Sequence, residues 1–222
     1  MAKLLVFADS HSNLASIKAL RDFALKEKPE IIISLGDLTN EGLKDIAVEA
    51  FDILSECKAR LFFIPGNQDT KEITEFFESR QASLQKKSID LNEITLIGLG
   101  GGKPVNVIYH GTNLGELEAK KVLKELFEEN KGKKIILFSH APPSGLKLSR
   151  SFKGIELGVN ALSKAIIDFK PLLSVSGHVH ESKGVEELNG IECINIGPLR
   201  DGYCLLIIEK EGKLKWQRKK IF

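Results

Sequence analysis

Long apolar runs are absent from this sequence of 222 residues. The longest unbroken run covers residues 203–208, whereas a membrane-spanning helix needs about 20 residues and the core of a signal peptide about 7 to 15. The apolar stretch near the N-terminus stops at Asp9, with no small-residue cleavage site after it. The sequence therefore predicts a soluble, cytoplasmic protein with no membrane partner.

Cysteine is scarce as well. The three cysteines, Cys57, Cys193 and Cys204, are an odd number at wide spacing and form no C-x-x-C pair. This pattern argues against a disulfide framework and against a thiolate zinc site. We expect buried, free thiols instead.

An excess of charge of one sign is also missing, because 32 basic and 30 acidic side chains leave a net charge of +2. A chain so close to neutral gives no reason to expect nucleic acid as an obligatory partner. The basic residues crowded into 213–220 are interpreted as part of a solvated edge strand. Since no Pro/Gly/Ser-rich linker divides the chain, we expect one domain over residues 1–222, and a homo-oligomer stays open.

The first third of the chain alternates apolar strands with helical patterns. Strands are predicted at 3–8, 31–35 and 61–64, and apolar residues at helical spacing follow each of them. Strands rich in Ile, Leu, Val and Phe, separated by amphipathic helices, predict a parallel sheet covered by helices. In such a sheet, functional groups gather at the carboxyl ends of the strands.

The rest of the chain changes character along its length. A strand is predicted at 94–99, a helix from a capping box at Asn113 and Glu116 to about residue 129, a strand at 135–138 and a helix around 161–169. Short strands with turns at 189–190 and 211–212 then predict an antiparallel arrangement. These last strands are expected at 172–176, 185–188, 191–196, 205–209 and 214–217.

Polar side chains that can bind metal follow five of the apolar strands, in the segments D-S-H, G-D, G-N-Q-D, S-H and G-H-V-H. Their mixture of oxygen and nitrogen ligands suits Mn²⁺, Fe or Zn²⁺. Seven ligands exceed the need of one ion, and a carboxylate such as Asp37 can bridge two ions about 3.5–4 Å apart, which favours hydrolysis. The candidate ligands are Asp9, His11, Asp37, Asn67, His140, His178 and His180.

The order D-x-H, G-D, G-N-x-D, H, G-H-x-H resembles the calcineurin-like metallophosphoesterase superfamily over residues 9–180. The resemblance implies an α/β fold, a four-layer α/β/β/α sandwich of mixed sheets with outer helices. It also implies two divalent ions, with Mn²⁺ favoured over Fe, Zn²⁺, Ni²⁺ or Mg²⁺. In this family pattern one ion is held by Asp9, His11, Asp37 and His180, and the other by Asp37, Asn67, His140 and His178.

The function that the resemblance implies is hydrolysis of a phosphodiester or a small phosphorylated compound. A hydroxide bridging the metals would attack phosphorus in line. Asp37, Asn67 and His140 are the expected catalytic residues, and Asn67 would also orient the substrate. A phosphodiesterase is favoured over a monoesterase because Gln68 stands where most of the family has a histidine.

One position departs from the family pattern. Where most members have histidine in G-N-H-D, this chain has Gln68, and an amide cannot act as a general acid at neutral pH. Diesters and aryl esters need less protonation of the leaving group, and some phosphodiesterase-like and Icc-like branches also lack that histidine. The following residue, Asp69, is interpreted as a structural cap of the next helix.

Substrate contacts are expected from Gln68 and from a basic loop over residues 141–158. This loop follows His140 and is long for a simple connector. We expect it to close over an anionic substrate through Lys147, Arg150 or Lys153. His110 lies outside the ligand set and is interpreted as a loop residue, with substrate contact as the alternative.

Two other functions stay open. A nuclease of the same superfamily would need a basic groove. A catalytically impaired scaffold that retains the fold would find support in Gln68, although all seven ligand-type residues are retained.

Overall fold

The computed structural model describes residues 1–102 and 111–222. Its helices are α1 (Leu14–Glu27), α2 (Lys44–Ser55), α3 (Lys71–Ser79), α4 (Glu116–Glu129) and α5 (Asn160–Phe169). Its strands are β1 (Ala2–Phe7), β2 (Ile31–Ser34), β3 (Arg60–Phe63), β4 (Lys87–Leu91), β5 (Ile94–Leu99), β6 (Lys134–Ser139), β7 (Leu173–Ser176), β8 (Gly184–Leu188), β9 (Ile191–Asn195), β10 (Tyr203–Lys210) and β11 (Lys213–Lys220). No helix in these ranges is long and apolar enough to span a membrane.

Within the described residues, the strands form two mixed sheets. The first has the order β11-β10-β1-β2-β3, with β1, β2 and β3 parallel and with β10 and β11 antiparallel to their neighbours. The second has the order β4-β5-β6-β7-β9-β8, with a parallel centre and an antiparallel strand at each edge. The parallel order predicted for the first three strands is confirmed.

The two sheets pack face to face, and each carries helices on its outer face. Along β1, Leu4 and Val6 point into the core between the sheets, whereas Leu5 and Phe7 point outward against the helices of the first sheet. Both faces of these strands are buried, which explains their near-continuous apolar sequence. Helices α4 and α5 cover the second sheet in the same way. The predicted four-layer α/β/β/α sandwich is therefore confirmed.

Two local predictions were wrong, and one strand was missed. Strand β4 was missed, because its sequence K-S-I-D-L is a half-exposed edge strand with few apolar residues. Strand β7 is parallel to both neighbours, since α5 carries the chain back across the sheet. The capping box of α4 does not form, because Gly115 is the N-cap and makes no side-chain bond. The Glu116 carboxylate instead accepts hydrogen bonds from the N–H groups of Asn160 and Ala161, both 2.9 Å, at the start of α5.

The predicted hairpin turns are confirmed. Both central residues have positive φ at Asn189 and Gly190 (52° and 80°) and at Glu211 and Gly212 (53° and 70°), as a type I′ turn requires. The basic strand β11 lies at the edge of its sheet, as expected. All three cysteines are free, with two of them buried and Cys57 half-buried.

Candidate metal centre

The polar segments that follow the strands meet at one end of the two sheets. Among the described residues, the ligand atoms of Asp9, His11 and His180 form one group, and those of Asp37, His140 and His178 form another. Within each group the ligand atoms lie within 4.8 Å of one another. All seven sequence candidates are brought together, because Asn67 Oδ1 lies 3.0 Å from His140 Nε2.

The first group is open to solvent on one side. His11 Nε2 lies 3.1 Å from His180 Nε2, and both histidines are half-buried. Asp9 is fully buried, and its Oδ1 lies 3.5 Å from His180 Nε2 and 4.0 Å from His11 Nε2. Three ligand atoms therefore face a common point.

The second group lies deeper. His140 Nε2 lies 3.1 Å from Nδ1 of His178, and both rings are buried. Asp37 Oδ2 lies 3.7 Å from His140 Nε2 and 3.8 Å from His11 Nε2. One carboxylate oxygen is thus almost equidistant from the two groups.

Two of the histidines are oriented by hydrogen-bond acceptors behind them. The Nδ1–H of His140 donates to the carbonyl oxygen of Leu35 at 2.8 Å, and that of His11 donates to Asn40 Oδ1 at 2.9 Å. The Asn40 amide is itself fixed, since its Nδ2 donates to the carbonyl of His11 at 3.1 Å. Both rings therefore turn the lone pair of Nε2 toward the centre, as a ligand requires.

The donor atoms fit divalent cations. In the second group, the His140 lone pair, Asn67 Oδ1 and Asp37 Oδ2 are all acceptors. Asp9 Oδ1 is buried, and no donor among the described residues satisfies it. Converging acceptors of this kind are unfavourable unless a proton or a cation lies between them. Carboxylate, amide and imidazole ligands suit Mn²⁺, Fe or Zn²⁺.

The backbone at these ligands is strained. Asp9, His11, Asp37 and His178 have φ values of 58°, 48°, 48° and 71°, a left-handed conformation that costs a non-glycine residue about 1–2 kcal/mol. Hydrogen bonds between the β1 and β2 loops hold it, with Asp9 N–H donating to Gly36 O at 2.9 Å and His11 N–H to Asp37 O at 3.0 Å. Such strain is typical of functional sites, and no sequence pattern signals it.

The glycines of the G-D and G-N segments are required by close packing. A Cβ on Gly66 would collide with the backbone and the carboxylate of Asp37, and one on Gly36 would collide with the backbone of Gly66. Gly36 also has a φ of +102°, which favours glycine. These two glycines let the β2 and β3 loops touch, and this contact places Asp37 beside Asn67.

Burial and charge set the protonation of the metal-free site. Burial alone would raise the pKa of Asp9, but the close histidines, His180 first, hold that pKa below its usual range. Burial, together with Asp9 and Asp69, raises the pKa of Asp37 well above the usual value. Burial lowers the pKa of His11 to about 4 and that of His178 to about 3. Both imidazoles are therefore neutral at pH 7 and need lose no proton to bind metal.

The cap predicted at Asp69 was wrong. The N-cap of α3 is Thr70, and the buried Asp69 carboxylate instead accepts hydrogen bonds from the N–H groups of Gly66 (2.9 Å), Leu38 (3.4 Å) and Thr39 (3.2 Å). The Thr39 hydroxyl donates to it as well, at 3.2 Å. Asp69 therefore joins the β2 and β3 loops that carry Asp37 and Asn67.

Gln68 contributes through its backbone, because its N–H donates to Asp37 Oδ1 at 2.8 Å. Its side chain is half-buried and makes no hydrogen bond with another described residue.

The basic loop lies against the segment that carries His180. The Ser182 hydroxyl donates to the carbonyl of Arg150 at 2.5 Å, and Glu181 accepts from the N–H of Phe152 at 2.8 Å. In the described part of the chain, no hydrogen bond joins Lys147, Arg150 or Lys153 to a candidate ligand. His110 lies outside the described residues.

Sequence reasoning missed three contributors to the site and assigned a fourth, Asp69, to the wrong partner. Asn40 and the Leu35 carbonyl have no sequence signal. The third missed contributor is Arg200, whose Nη2 lies 3.0 Å from Nδ1 of His180. It comes shortly after residues 195–198, whose sequence is N-I-G-P and in which Gly197 has a φ of +86°.

Comparison with known proteins identifies a family, related sequences and a related fold. The model of the family described as calcineurin-like phosphoesterase matches residues 2–182. An uncharacterised protein of Methanocaldococcus jannaschii is 26% identical over 204 residues, 88% of each chain. A probable glycerophosphodiester phosphodiesterase of Arcobacter nitrofigilis is 26% identical over 168 residues, 70% of this chain and 58% of that protein. A crystal structure from Thermus thermophilus shares the fold, with a TM-score of 0.77 and 19% identity over 100% of this chain and 99% of that one.

Proposed function

The chain belongs to the calcineurin-like phosphoesterase family, and from this premise we propose that it is a dinuclear, metal-dependent phosphodiesterase. One observation carries the proposal: Asp37 Oδ2 lies 3.8 Å from a ligand atom of one histidine group and 3.7 Å from a ligand atom of the other. A carboxylate in that position can serve two ions at once. In such a site, two divalent ions activate water and neutralise phosphoryl charge.

The chain's own residues supply the ligands and hold them in place. Asp9, His11 and His180 face one ion position, and Asn67, His140 and His178 face the other. The acceptors behind His11 and His140 keep both rings from turning, and the Gln68 N–H fixes the second oxygen of Asp37. Preorganised ligands of this kind need no rearrangement when the substrate arrives.

A diester substrate is supported by two facts. The half-buried Gln68 offers an amide where a proton donor would help an alkoxide to leave. The Arcobacter nitrofigilis relative is named as a probable phosphodiesterase. We infer that a diester with an acidic leaving group is hydrolysed faster than an alkyl monoester.

The test is hydrolysis of bis(p-nitrophenyl) phosphate and of p-nitrophenyl phosphate by Mn²⁺-loaded protein. Asp37→Ala should lower turnover at least ~100-fold, because loss of even an outer partner of a metal ligand costs 10- to 100-fold. Asp45→Ala, which removes an exposed carboxylate on α2, is the matched control and should keep the activity. Wild-type protein that binds metal and turns over neither ester would support the scaffold alternative.

The loop cations are proposed to assist substrate binding. The backbone of the loop is hydrogen-bonded to Glu181 and Ser182, next to His180, and its three cations are exposed. Replacing Lys147, Arg150 and Lys153 together with alanine should raise KM for an anionic diester. An unchanged kcat/KM on every substrate would make this loop a connector only.

A nuclease remains the second candidate because cations converge on one aromatic ring. Lys183, Arg218 and Lys220 lie 5.1, 5.8 and 5.7 Å from the ring centroid of Tyr203. Such a cluster could bind a phosphate backbone. Binding of single-stranded DNA that weakens steeply with salt, together with its cleavage, would favour this function.

A further inference from the structure

Arg200 brings a positive charge into direct contact with a candidate metal ligand. Its guanidinium Nη2 lies 3.0 Å from Nδ1 of His180. Arg150 of the basic loop, by contrast, is paired with Glu156. In the described part of the chain, no carboxylate forms an ion pair with Arg200.

The backbone fixes Arg200 at the edge of the site. The residue lies in the 3₁₀ turn Leu199–Asp201, which begins after Pro198 (φ −76°). The N–H of Leu199 donates to the carbonyl of Ala8 at 2.8 Å, and that of Arg200 to the carbonyl of Asp9 at 3.4 Å. The turn is thus tied to the end of β1, while the side chain of Arg200 is exposed to solvent.

The contact with His180 cannot coexist with a metal on the same ring. A guanidinium only donates hydrogen bonds, so in this contact Nδ1 of His180 is the acceptor and a ring proton can lie only on Nε2. Nε2 is the atom that faces His11. To bind a metal through Nε2, the ring needs its lone pair on that atom, so its proton lies on Nδ1. The Nδ1–H group and the Arg200 guanidinium would then be two donors facing each other. The acceptors behind His11 and His140 create no such conflict.

We propose that Arg200 is a substrate-binding residue whose guanidinium leaves His180 when a metal ion binds Nε2 of that ring, and then contacts an anionic phosphoryl oxygen. The inference rests on the proposed function. A released guanidinium at the open side of the first group would meet a phosphate or phosphodiester bound there. Its planar donors match two oxygens of such an anion.

The first test determines which ring nitrogen of His180 carries the proton, by ¹⁵N NMR of histidine-labelled protein with diamagnetic Zn²⁺ as the probe. In metal-free protein we expect the His180 proton on Nε2, and in Zn²⁺-loaded protein on Nδ1. Arg200→Gln should remove the preference for Nε2 in the metal-free form. A proton on Nδ1 of His180 in metal-free wild-type protein would overturn the proposed exchange.

The second test measures binding by calorimetry, with Arg80→Gln as the control for loss of an exposed arginine on another element. Arg200→Gln should bind Mn²⁺ at least as tightly as wild type, because a competing cation has gone. The Mn²⁺-loaded variant should bind inorganic phosphate about 10- to 100-fold more weakly, the loss typical of one charge-assisted hydrogen-bond partner. Arg80→Gln should match wild type in both titrations.

The outcomes separate this inference from the proposed function. If wild type binds two Mn²⁺ ions and hydrolyses a diester, but Arg200→Gln binds phosphate as wild type does, only the role of Arg200 is refuted. Weaker Mn²⁺ binding by Arg200→Gln would refute it too, since Arg200 would then support the metal site. If wild-type protein binds no metal, both the role of Arg200 and the proposed function are refuted.

Discussion

Removing the Asp69 carboxylate should destabilise the fold and the candidate metal centre together. Its side chain is fully buried and accepts hydrogen bonds from three backbone N–H groups and one hydroxyl. In Asp69→Ala these donors lose their partner without gaining water. Leaving one buried donor unsatisfied costs about 1–3 kcal/mol, so the loss of a partner for four donors should lower the free energy of unfolding by at least about 3 kcal/mol.

Asp69→Asn separates the loss of acceptors from the loss of volume. The amide keeps one oxygen for Thr39, but its NH₂ group would oppose the N–H groups of Gly66 and Leu38. We expect a loss of about 1–3 kcal/mol, the cost of leaving buried donors unsatisfied. Mn²⁺ affinity should fall as well, because these donors flank Asp37 and Asn67.

The assay is urea unfolding of metal-free protein, with Mn²⁺ titration of the same samples. The control is Glu72→Ala, since Glu72 is an exposed carboxylate at the start of α3 and should change neither quantity appreciably. If Asp69→Ala were no less stable than Glu72→Ala, the carboxylate would not be holding the two loops, and the reasoning would fail.

Other predictions concern the leaving group and the buried thiols. Gln68→His should raise turnover of alkyl phosphoesters more than that of nitrophenyl esters, by up to the ~10²–10⁴-fold of general acid catalysis; equal effects would show that Gln68 does not mark a missing acid. Burial raises the pKa of the Cys193 and Cys204 thiols to about 12, so at pH 8 neither should react with Ellman's reagent until the protein unfolds. Because the raised pKa favours the folded state below the unfolded thiol pKa near 9, that contribution to stability should decline between about pH 9 and 12; a constant free energy of unfolding across that window would contradict it.

The ends of the strands and the ligand-type residues that follow them can be identified from the sequence, because both are local features. An apolar run shows where β1, β2 or β3 ends, and the next residues are the polar ones that parallel strands bring to one edge. Hence all seven candidate ligands can be named from the sequence. The glycines next to Asp37 and Asn67 are also evident in the sequence. The reason that glycine is needed there, a backbone contact between two loops, is evident only in the structure.

The rest depends on contacts distant in sequence. The hydrogen bond from His140 to the Leu35 carbonyl joins residues 105 apart, and a backbone carbonyl leaves no mark in the sequence. The position of β9 between β7 and β8 is set by pairing across the sheet, and no local pattern specifies it. Asp69 resembled a helix cap because the residues after it are helical, whereas its partners lie on the preceding loops.

The central claim is that two ions share Asp37. Crystals soaked in Mn²⁺ and measured at the manganese edge test it most directly. We expect two anomalous peaks per chain, about 3.5–4 Å apart as in known two-metal sites. One should lie beside His11 and His180 and the other beside His140 and His178, with Asp37 Oδ2 between them. A single peak at saturating Mn²⁺, or two peaks that do not share Asp37, would contradict it.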